Sequence, residues 1–312
     1  MSSPSSNAML HERMFNAEAL CDWRVREAQH TYREFDAAFY ALSLGLGRHS
    51  LDPRALSLVD PWSPDFRPLP LFALICGYPG FWLGDETVRS QTGLDPERIL
   101  HIEQALVLKA PLEPNATVIG RTTVNGIVDK GKGRASLLYS TREVIDARSQ
   151  TVIAECRQVH YLLGAGGGGG TDYAPPPRHN CPSRPPEWQV DVPTHPEQAL
   201  LYRLNGDANP LHIDPRVAQR SGFERPILHG LCTGGIAFCA LLALKDFDVT
   251  QFTNIGFRMV SPVIPGDTLR VSCWSDGSFQ ATVPDRNQIV LDGGYAGLDR
   301  PAEKGESDGI SA

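Results

Sequence analysis

A short internal repeat divides the chain into two comparable halves. Pro111-x-x-Pro114-x-x-Thr117 recurs as Pro262-x-x-Pro265-x-x-Thr268, 151 residues later. Each copy follows an apolar segment and precedes a strand-like run, at 118–128 in the first half and at 269–274 in the second. The same order of segments in both halves favours duplication over coincidence. A chain of 312 residues is also long enough for two domains of ordinary size.

Each half is predicted to contain a helix followed by several strands. The apolar segments at 70–78 and 231–244 have the composition of buried helices. In the first half, stretches rich in Val, Ile and Thr at 116–127, 134–145 and 151–163 predict strands. The glycines of Asp129-Lys-Gly-Lys-Gly133 are typical of a tight hairpin between the first two of these strands. This order predicts an α+β unit in which an antiparallel sheet wraps around a helix.

A glycine- and proline-rich tract lies between the halves. Glycines dominate 164–170 and prolines follow at 175–177 and 185–186. The glycines satisfy Gly-x-Gly-x-x-Gly, but prolines rather than a helix follow them, so a dinucleotide site is not expected. We predict a first repeat at 23–163, a linker at 164–190 and a second repeat at 191–297. The terminal segments 1–22 and 298–312 are expected to be flexible.

Composition and charge exclude several classes of protein. The net charge of −7 and the lack of a dense basic block argue against nucleic-acid binding. No apolar stretch approaches the roughly 20 residues that a membrane span needs. The seven cysteines are scattered and form no Cys-x-x-Cys pair, so neither a disulfide framework nor a metal site is expected. With no secretory signal at the start and no Ser-Lys-Leu ending, a cytoplasmic location is expected.

The second half carries a candidate catalytic motif. Gly206-Asp207-Ala208-Asn209-Pro210-Leu211-His212 places a carboxylate, an amide and an imidazole within six positions, and His229-Gly230 follows just before the apolar helix. A carboxylate and an imidazole can exchange protons, and the free N–H groups at a helix start can stabilise an oxyanion. The same residues are also good turn formers, and turn structure alone is the competing interpretation.

This motif closely resembles the hallmark of the (R)-specific 2-enoyl-CoA hydratases, also called hydratase 2 or MaoC-like proteins. The similarity extends to Tyr40-Ala-Leu-Ser-Leu-Gly-Leu-Gly47 and to the segment 258–268. The resemblance implies a double hot dog fold, in which two hot-dog repeats form a pseudo-dimer. It also implies hydration of an acyl-CoA thioester without a cofactor.

The resemblance assigns the chemistry to Asp207, Asn209, His212 and Gly230. His212 is the natural base, since its ordinary pKa near 6.5 leaves it largely neutral at pH 7, and a desolvated Asp207 could supply the acid. The sequence leaves both assignments of acid and base to this pair open, because two close groups titrate as a unit. Asn209 could orient the water or fix the loop, and the Gly230 N–H could bind the thioester enolate. His229 is expected to shape the loop before the helix. Further expected substrate contacts are His229, Leu231, Arg216 and Tyr78.

The first half lacks this motif, so one active site per chain is expected. In the family, such a half accommodates the acyl tail, and Leu71, Phe72, Ile75, Tyr78 and Phe81 could line that space or form ordinary core. Cations for the coenzyme A phosphates could come from Lys130, Lys132 and Arg134, or from Arg216, Arg220 and Arg225. Cys232 and Cys239 are interpreted as core residues, and His101 as a structural residue on a strand.

Other functions remain open at this stage. A related dehydratase could act on branched or dicarboxylic acyl-CoA. Hot-dog folds also host thioesterases, and a non-catalytic acyl-CoA binding module is a third alternative. Pairing of two pseudo-dimers into a homodimer is a further open alternative.

Overall fold

In the computed structural model, residues 15–48 and 52–297 are described, and the strands in these ranges form one antiparallel sheet. The predicted tail 298–312 and residues 1–14 lie outside the described residues. The strands are β1 (Ala28–Tyr32), β2 (Ile99–Leu108), β3 (Ala116–Asp129), β4 (Ser136–Asp146), β5 (Val152–Leu162), β6 (Trp188–Pro193), β7 (Asn254–Met259), β8 (Thr268–Cys273), β9 (Ser278–Val283) and β10 (Gln288–Gly297).

The strand order shows the duplication. The order β1-β3-β4-β5-β2-β7-β10-β9-β8-β6 places five strands of each half side by side, and the two sets mirror each other. β3 and β8, which start at the two copies of the proline repeat, occupy equivalent positions. The halves join where β2 pairs with β7, with Glu103 opposite Arg258 and Val107 opposite Asn254. The predicted α+β double hot dog architecture is confirmed.

The described residues form seven α-helices, and the last of them packs on the sheet of the second half. They are α1 (Ala17–Cys21), α2 (Glu34–Ser43), α3 (Pro53–Leu56), α4 (Glu86–Thr92), α5 (Gln198–Tyr202), α6 (Pro215–Arg220) and α7 (Gly230–Ala243). α7 coincides with the predicted 231–244 helix and packs against all five strands of the second half. Two glycines allow close packing of α7, since Gly234 contacts the Phe257 ring and Gly235 contacts the end of the Leu44 side chain. α7 is therefore the central helix of the second hot dog.

The central helix of the first half is shorter than predicted. Only Pro70–Leu74 is helical, and as a 3-10 helix. The chain then turns at Gly77, which has a φ of +62° and lies against the backbone of Gly120, so the helix cannot continue to residue 78. Leu71 and Phe72 are core residues, and Phe72 packs edge-on against Tyr32 with ring centroids 4.9 Å apart.

The short helix α1 lies within the segment 1–22 for which flexibility was expected. The Asn16 side chain caps α1 by accepting a hydrogen bond of 3.0 Å from the Ala19 N–H. Leu20 is fully buried, in a core cluster that also contains Leu83 and Val88. Tertiary burial therefore stabilises a helix too short to form alone.

The segment between the halves is a strap across the outer face of the sheet, the face opposite α7. Its glycine N–H groups bind the Asp129 carboxylate, from Gly167 at 2.9 Å and from Gly169 at 3.2 Å. Further on, Arg178 forms an ion pair of 2.5 Å with Glu103. The strap ends near Trp274, whose indole N–H donates to the Arg184 carbonyl at 3.0 Å. The predicted linker is therefore bound to both halves along its length.

The cysteines and the helix lengths are the remaining features of composition that the structure describes. All seven cysteines are free thiols. Among the described helices, none has the length and apolarity that crossing a bilayer would require. Cys232 is buried in the core and Cys239 packs against it, as predicted.

Candidate active site

The motif loop is held by hydrogen bonds between its own side chains and backbone. Gly206 adopts a left-handed conformation with a φ of +108° and reverses the chain after the 3-10 helix Arg203–Asn205. The Asp207 carboxylate then accepts the Asn209 N–H at 3.1 Å. Asn209 caps the next 3-10 helix, Pro210–His212, by accepting the Leu211 N–H at 3.0 Å. These residues therefore do form turns, and their side chain-to-backbone hydrogen bonds fix the loop.

This loop brings three ionisable side chains together. One carboxylate oxygen of Asp207 and one ring nitrogen each of His212 and His229 all lie within 4.8 Å of one another. His229 Nε2 is 4.0 Å from an Asp207 carboxylate oxygen, and the His212 and His229 rings stack with centroids 3.7 Å apart. Asp207 remains 43% exposed, whereas His229 is 2% exposed. Asp207 therefore faces the opening of the cluster and His229 its buried wall.

The hydrogen bonding of His212 suits it to accept a proton. Its Nδ1 lies 2.8 Å from the Ile227 carbonyl oxygen, which can only accept, so Nδ1 carries the proton and Nε2 carries the lone pair in the neutral ring. Burial lowers the pKa of His212 below its ordinary value of 6.5, although the Ile227 bond and the Asp207 charge oppose this. His212 is therefore neutral at pH 7, with an available basic nitrogen.

His229 occupies a different environment and is not a proton carrier near neutral pH. Burial first, and then the neighbouring His212, lower the pKa of His229 to about 2. Neither of its ring nitrogens has a hydrogen-bond partner among the described residues. Two buried and unpaired ring nitrogens beside Asp207 can bind a water or a polar substrate group.

The start of α7 supplies backbone donors beside this cluster. The first intrahelical bond runs from Thr233 N to the His229 carbonyl, so the N–H groups of residues 230–232 have no partner within the helix. The positive end of the helix dipole reinforces them. At Gly230 a methyl group would overlap the Met259 sulfur and lie 3.0 Å from Met259 Cγ. Only glycine therefore fits this position with Met259 in place.

Comparison with known proteins assigns both halves of the chain to known domain families. Residues 178–290 match the model of the MaoC like domain, and residues 30–164 match that of the MFE-2 hydratase 2 N-terminal domain. The peroxisomal enoyl-CoA hydratase 2 of Arabidopsis thaliana is 35% identical over 302 residues, covering 89% of this chain and 94% of the relative. The chain belongs to the MaoC-like hydratase 2 family.

Two further relatives support this family membership. The enoyl-CoA hydratase ChsH3 of Mycobacterium tuberculosis is 37% identical to this MaoC-like protein over 265 residues, covering 83% of this chain and 90% of the relative. The crystal structure of a MaoC-like dehydratase from Phytophthora capsici superimposes with a TM-score of 0.79 at 30% identity, covering 91% of this chain and 98% of that one.

The residues expected to contact substrate differ in their placement in the MaoC-like fold. Tyr78, from the first half, is close enough to Asp207 for the carboxylate charge to raise its pKa, after burial, to about 12. Leu231 is half-buried at the start of α7 and packs against the core. The Arg216 side chain is 84% exposed and pairs with Asp214 at 3.1 Å. Arg216 is therefore available only to a substrate group at the surface.

The three clustered side chains could also hold a divalent cation. They offer one carboxylate and two imidazoles, a donor set used by several transition metals. Sequence spacing did not indicate this cluster, because His229 reaches it through tertiary structure from the start of α7.

Sequence reasoning missed several polar residues on the concave face of the first half. The His101 and His160 rings stack there with centroids 4.9 Å apart. Burial lowers the pKa of His101 to about 4, with the Asp207 charge acting in the opposite direction. Arg142 is fully buried on β4, the strand next to the one that carries His160. Polar residues at inward positions of β4 and β5 were the available signal, since inward positions of a strand are normally apolar.

A separate cavity lies on the outer face of the sheet. Its volume is about 310 Å³, and it lies between the sheet and the strap with one side open to solvent. Its lining includes Glu103, Arg178, Arg258 and Tyr295, and none of the four proposed catalytic residues. This cavity is therefore distinct from the catalytic cluster.

Proposed function

We propose that the protein is an (R)-specific enoyl-CoA hydratase. It adds water to a trans-2-enoyl-CoA to give the (3R)-hydroxyacyl-CoA, and it catalyses the reverse dehydration. The observation that carries this proposal is the position of Asp207 and His212 beside the free N–H groups at the start of α7. Hydration of an enoyl thioester requires this combination of proton acceptor, proton donor and oxyanion donor.

In the proposed mechanism, each group acts at a different atom. Neutral His212 removes a proton from the water that attacks C3, using Nε2. The Gly230 N–H stabilises the thioester enolate, aided by the helix dipole. Asp207, which faces the opening of the cluster, protonates C2. Asn209 acts by fixing the loop that carries both groups.

The test is to mix the purified protein with crotonyl-CoA and with a longer trans-2-enoyl-CoA and to follow the loss of enoyl-thioester absorbance. An (R)-specific dehydrogenase then reports the configuration of the product. Loss of absorbance with a (3R) product supports the proposal. Release of free coenzyme A instead identifies a thioesterase, and ligand binding with neither reaction identifies a binding module.

The finer expectations form part of the same proposal. The substrate is an acyl-CoA, and no cofactor is needed, because the chain supplies each group that the reaction requires. Equilibrium sedimentation tests whether the pseudo-dimers pair into a homodimer. A cytoplasmic location remains our proposal on the basis of the free thiols, while the Arabidopsis relative is named as peroxisomal. Fluorescence microscopy of the tagged full chain in its source cell distinguishes the two compartments.

A further inference from the structure

The concave face of the first half carries a continuous polar patch, made of Thr122, Arg142, Ser140, Gln158, Gln104, His160 and His101. In the strand register Thr122 lies opposite Arg142, and Ser140, two residues before Arg142, lies opposite Gln158. Gln158 is opposite Gln104, and His160 is opposite His101. Directly paired residues and residues two apart on one strand share a face of the sheet, so these side chains are neighbours.

Four atoms of this patch are buried without hydrogen-bond partners among the described residues. They are Thr122 Oγ1, Ser140 Oγ, His160 Nδ1 and Arg142 Nε. Each unpaired polar atom in a protein interior costs free energy, and such a cluster is unusual unless a ligand or water completes it. The patch therefore has the donors and acceptors of a polar binding surface.

Arg142 is the centre of this surface. It is 2% exposed, and its terminal nitrogens donate to the backbone carbonyls of Cys76 and, at 2.6 Å, of Leu74. Among the described residues, no carboxylate lies within ion-pair distance of the guanidinium. A buried cation without a counter-ion is costly, and an anion that binds beside it is correspondingly favoured.

The patch is continuous with the catalytic cluster. The Arg142 guanidinium carbon lies 5.7 Å from the centre of the Tyr78 ring. Tyr78 and His101 both interact electrostatically with Asp207, and Tyr78 is 38% exposed. The Tyr78 ring therefore links Arg142 to the catalytic cluster.

We propose that this first-half surface recognises an acyl chain that carries its own carboxylate, and that Arg142 binds this carboxylate. The inference rests on the proposed hydratase function and specifies its substrate class as the mono-CoA thioester of an unsaturated dicarboxylic acid. Displacement of the Tyr78 ring gives the carboxylate access to Arg142 Nε, while Ser140 and Thr122 supply hydroxyl donors. An ordinary fatty acyl chain would leave these polar atoms unpaired.

The experiment compares kcat/KM for pairs of trans-2-enoyl-CoA substrates of equal length that end in a methyl group or in a carboxylate. Across a series of lengths, the wild type is expected to favour the carboxylate by about 10- to 100-fold at the length that reaches Arg142. Arg142→Met should remove most of this preference. Arg121→Met is the matched control, because Arg121 is 51% exposed on the opposite face of β3, and it should preserve the preference.

A second variant and a binding measurement cover the case in which Arg142→Met does not fold. Ser140→Ala removes only an unpaired hydroxyl and should reduce the preference for the carboxylate severalfold. Calorimetry with adipoyl-CoA and hexanoyl-CoA should show tighter binding of adipoyl-CoA by the wild type. Hydration of methyl-ended substrates with no carboxylate preference at any length, and equal affinities for the two saturated ligands, would overturn this inference and leave the hydratase proposal intact. Absence of hydration with every substrate would instead contradict the hydratase proposal, while the calorimetry would still report on Arg142.

Discussion

Gly230→Ala should separate the packing role of this glycine from its catalytic role. The new methyl group would overlap the Met259 sulfur and lie 3.0 Å from Met259 Cγ, so either Met259 or the start of α7 must move. Such overpacking costs about 1–3 kcal/mol, and the higher helix propensity of alanine returns up to about 1 kcal/mol. We therefore expect a net loss of roughly 0–3 kcal/mol in the free energy of unfolding.

The effect on catalysis should be larger than this loss of stability implies. A methyl group at position 230 keeps the thioester oxygen away from the backbone N–H, and loss of one such donor lowers kcat by roughly 100- to 1000-fold. Urea unfolding gives the stability, and initial rates with crotonyl-CoA give kcat and KM. Gly234→Ala is the matched control. Gly234 lies one turn further along α7, and a methyl group there would overlap the ring of Phe257 on β7. It should lower stability while the folded protein keeps its kcat.

The double variant Gly230→Ala/Met259→Ala decides between the two roles. Removing the Met259 side chain relieves the overlap, so the two changes together should cost less stability than the sum of the single changes. The kcat should stay low, because the methyl group at 230 remains. Recovery of the wild-type kcat in the double variant would show that Gly230 serves packing alone.

Three further perturbations follow from the structure. Because burial lowers the pKa of His212, its neutral, basic form persists below pH 6.5 and is lost only as the pH falls further. The acid limb of the kcat/KM profile should therefore lie below pH 6.5. An acid limb centred above pH 7 would exclude His212 as the base. Gly120→Ala should destabilise the fold by about 2 kcal/mol or more, because the methyl group would overlap the Gly77 carbonyl; an unchanged urea midpoint would be inconsistent with that contact. Deleting residues 1–165 should give a second half that aggregates, because loss of β2 exposes the edge of β7 and its buried residues Ile255 and Phe257. A monomeric, active fragment would contradict the pseudo-dimer.

Local sequence patterns were sufficient to predict most of the fold. The proline repeat marked the equivalent strands β3 and β8, and the apolar run after Gly230 became the central helix α7. The shortened first helix was not predictable from apolar composition, because it ends where Gly77 meets the backbone of Gly120, a contact between distant segments. The strap was missed for a similar reason: its glycines bind Asp129, which lies 38 residues before Gly167.

The candidate site could be predicted only in part. Asp207, Asn209 and His212 were identified from one continuous motif and Gly230 from the separate His229-Gly230 pair, and their roles remain proposals. The burial of His229 against His212 depends on the meeting of the motif loop with the start of α7, which composition does not specify. Arg142 was missed because its burial is a property of the sheet register rather than of its neighbours in sequence.

The most direct test of the central claim is the rate and the stereochemistry of crotonyl-CoA hydration by the wild type, Asp207→Asn and His212→Gln, all shown to be folded by circular dichroism. The proposed mechanism predicts a (3R) product from the wild type and rates at least about 100-fold lower for each variant. A wild-type rate in either variant would contradict the assignment of proton transfer to this pair of side chains.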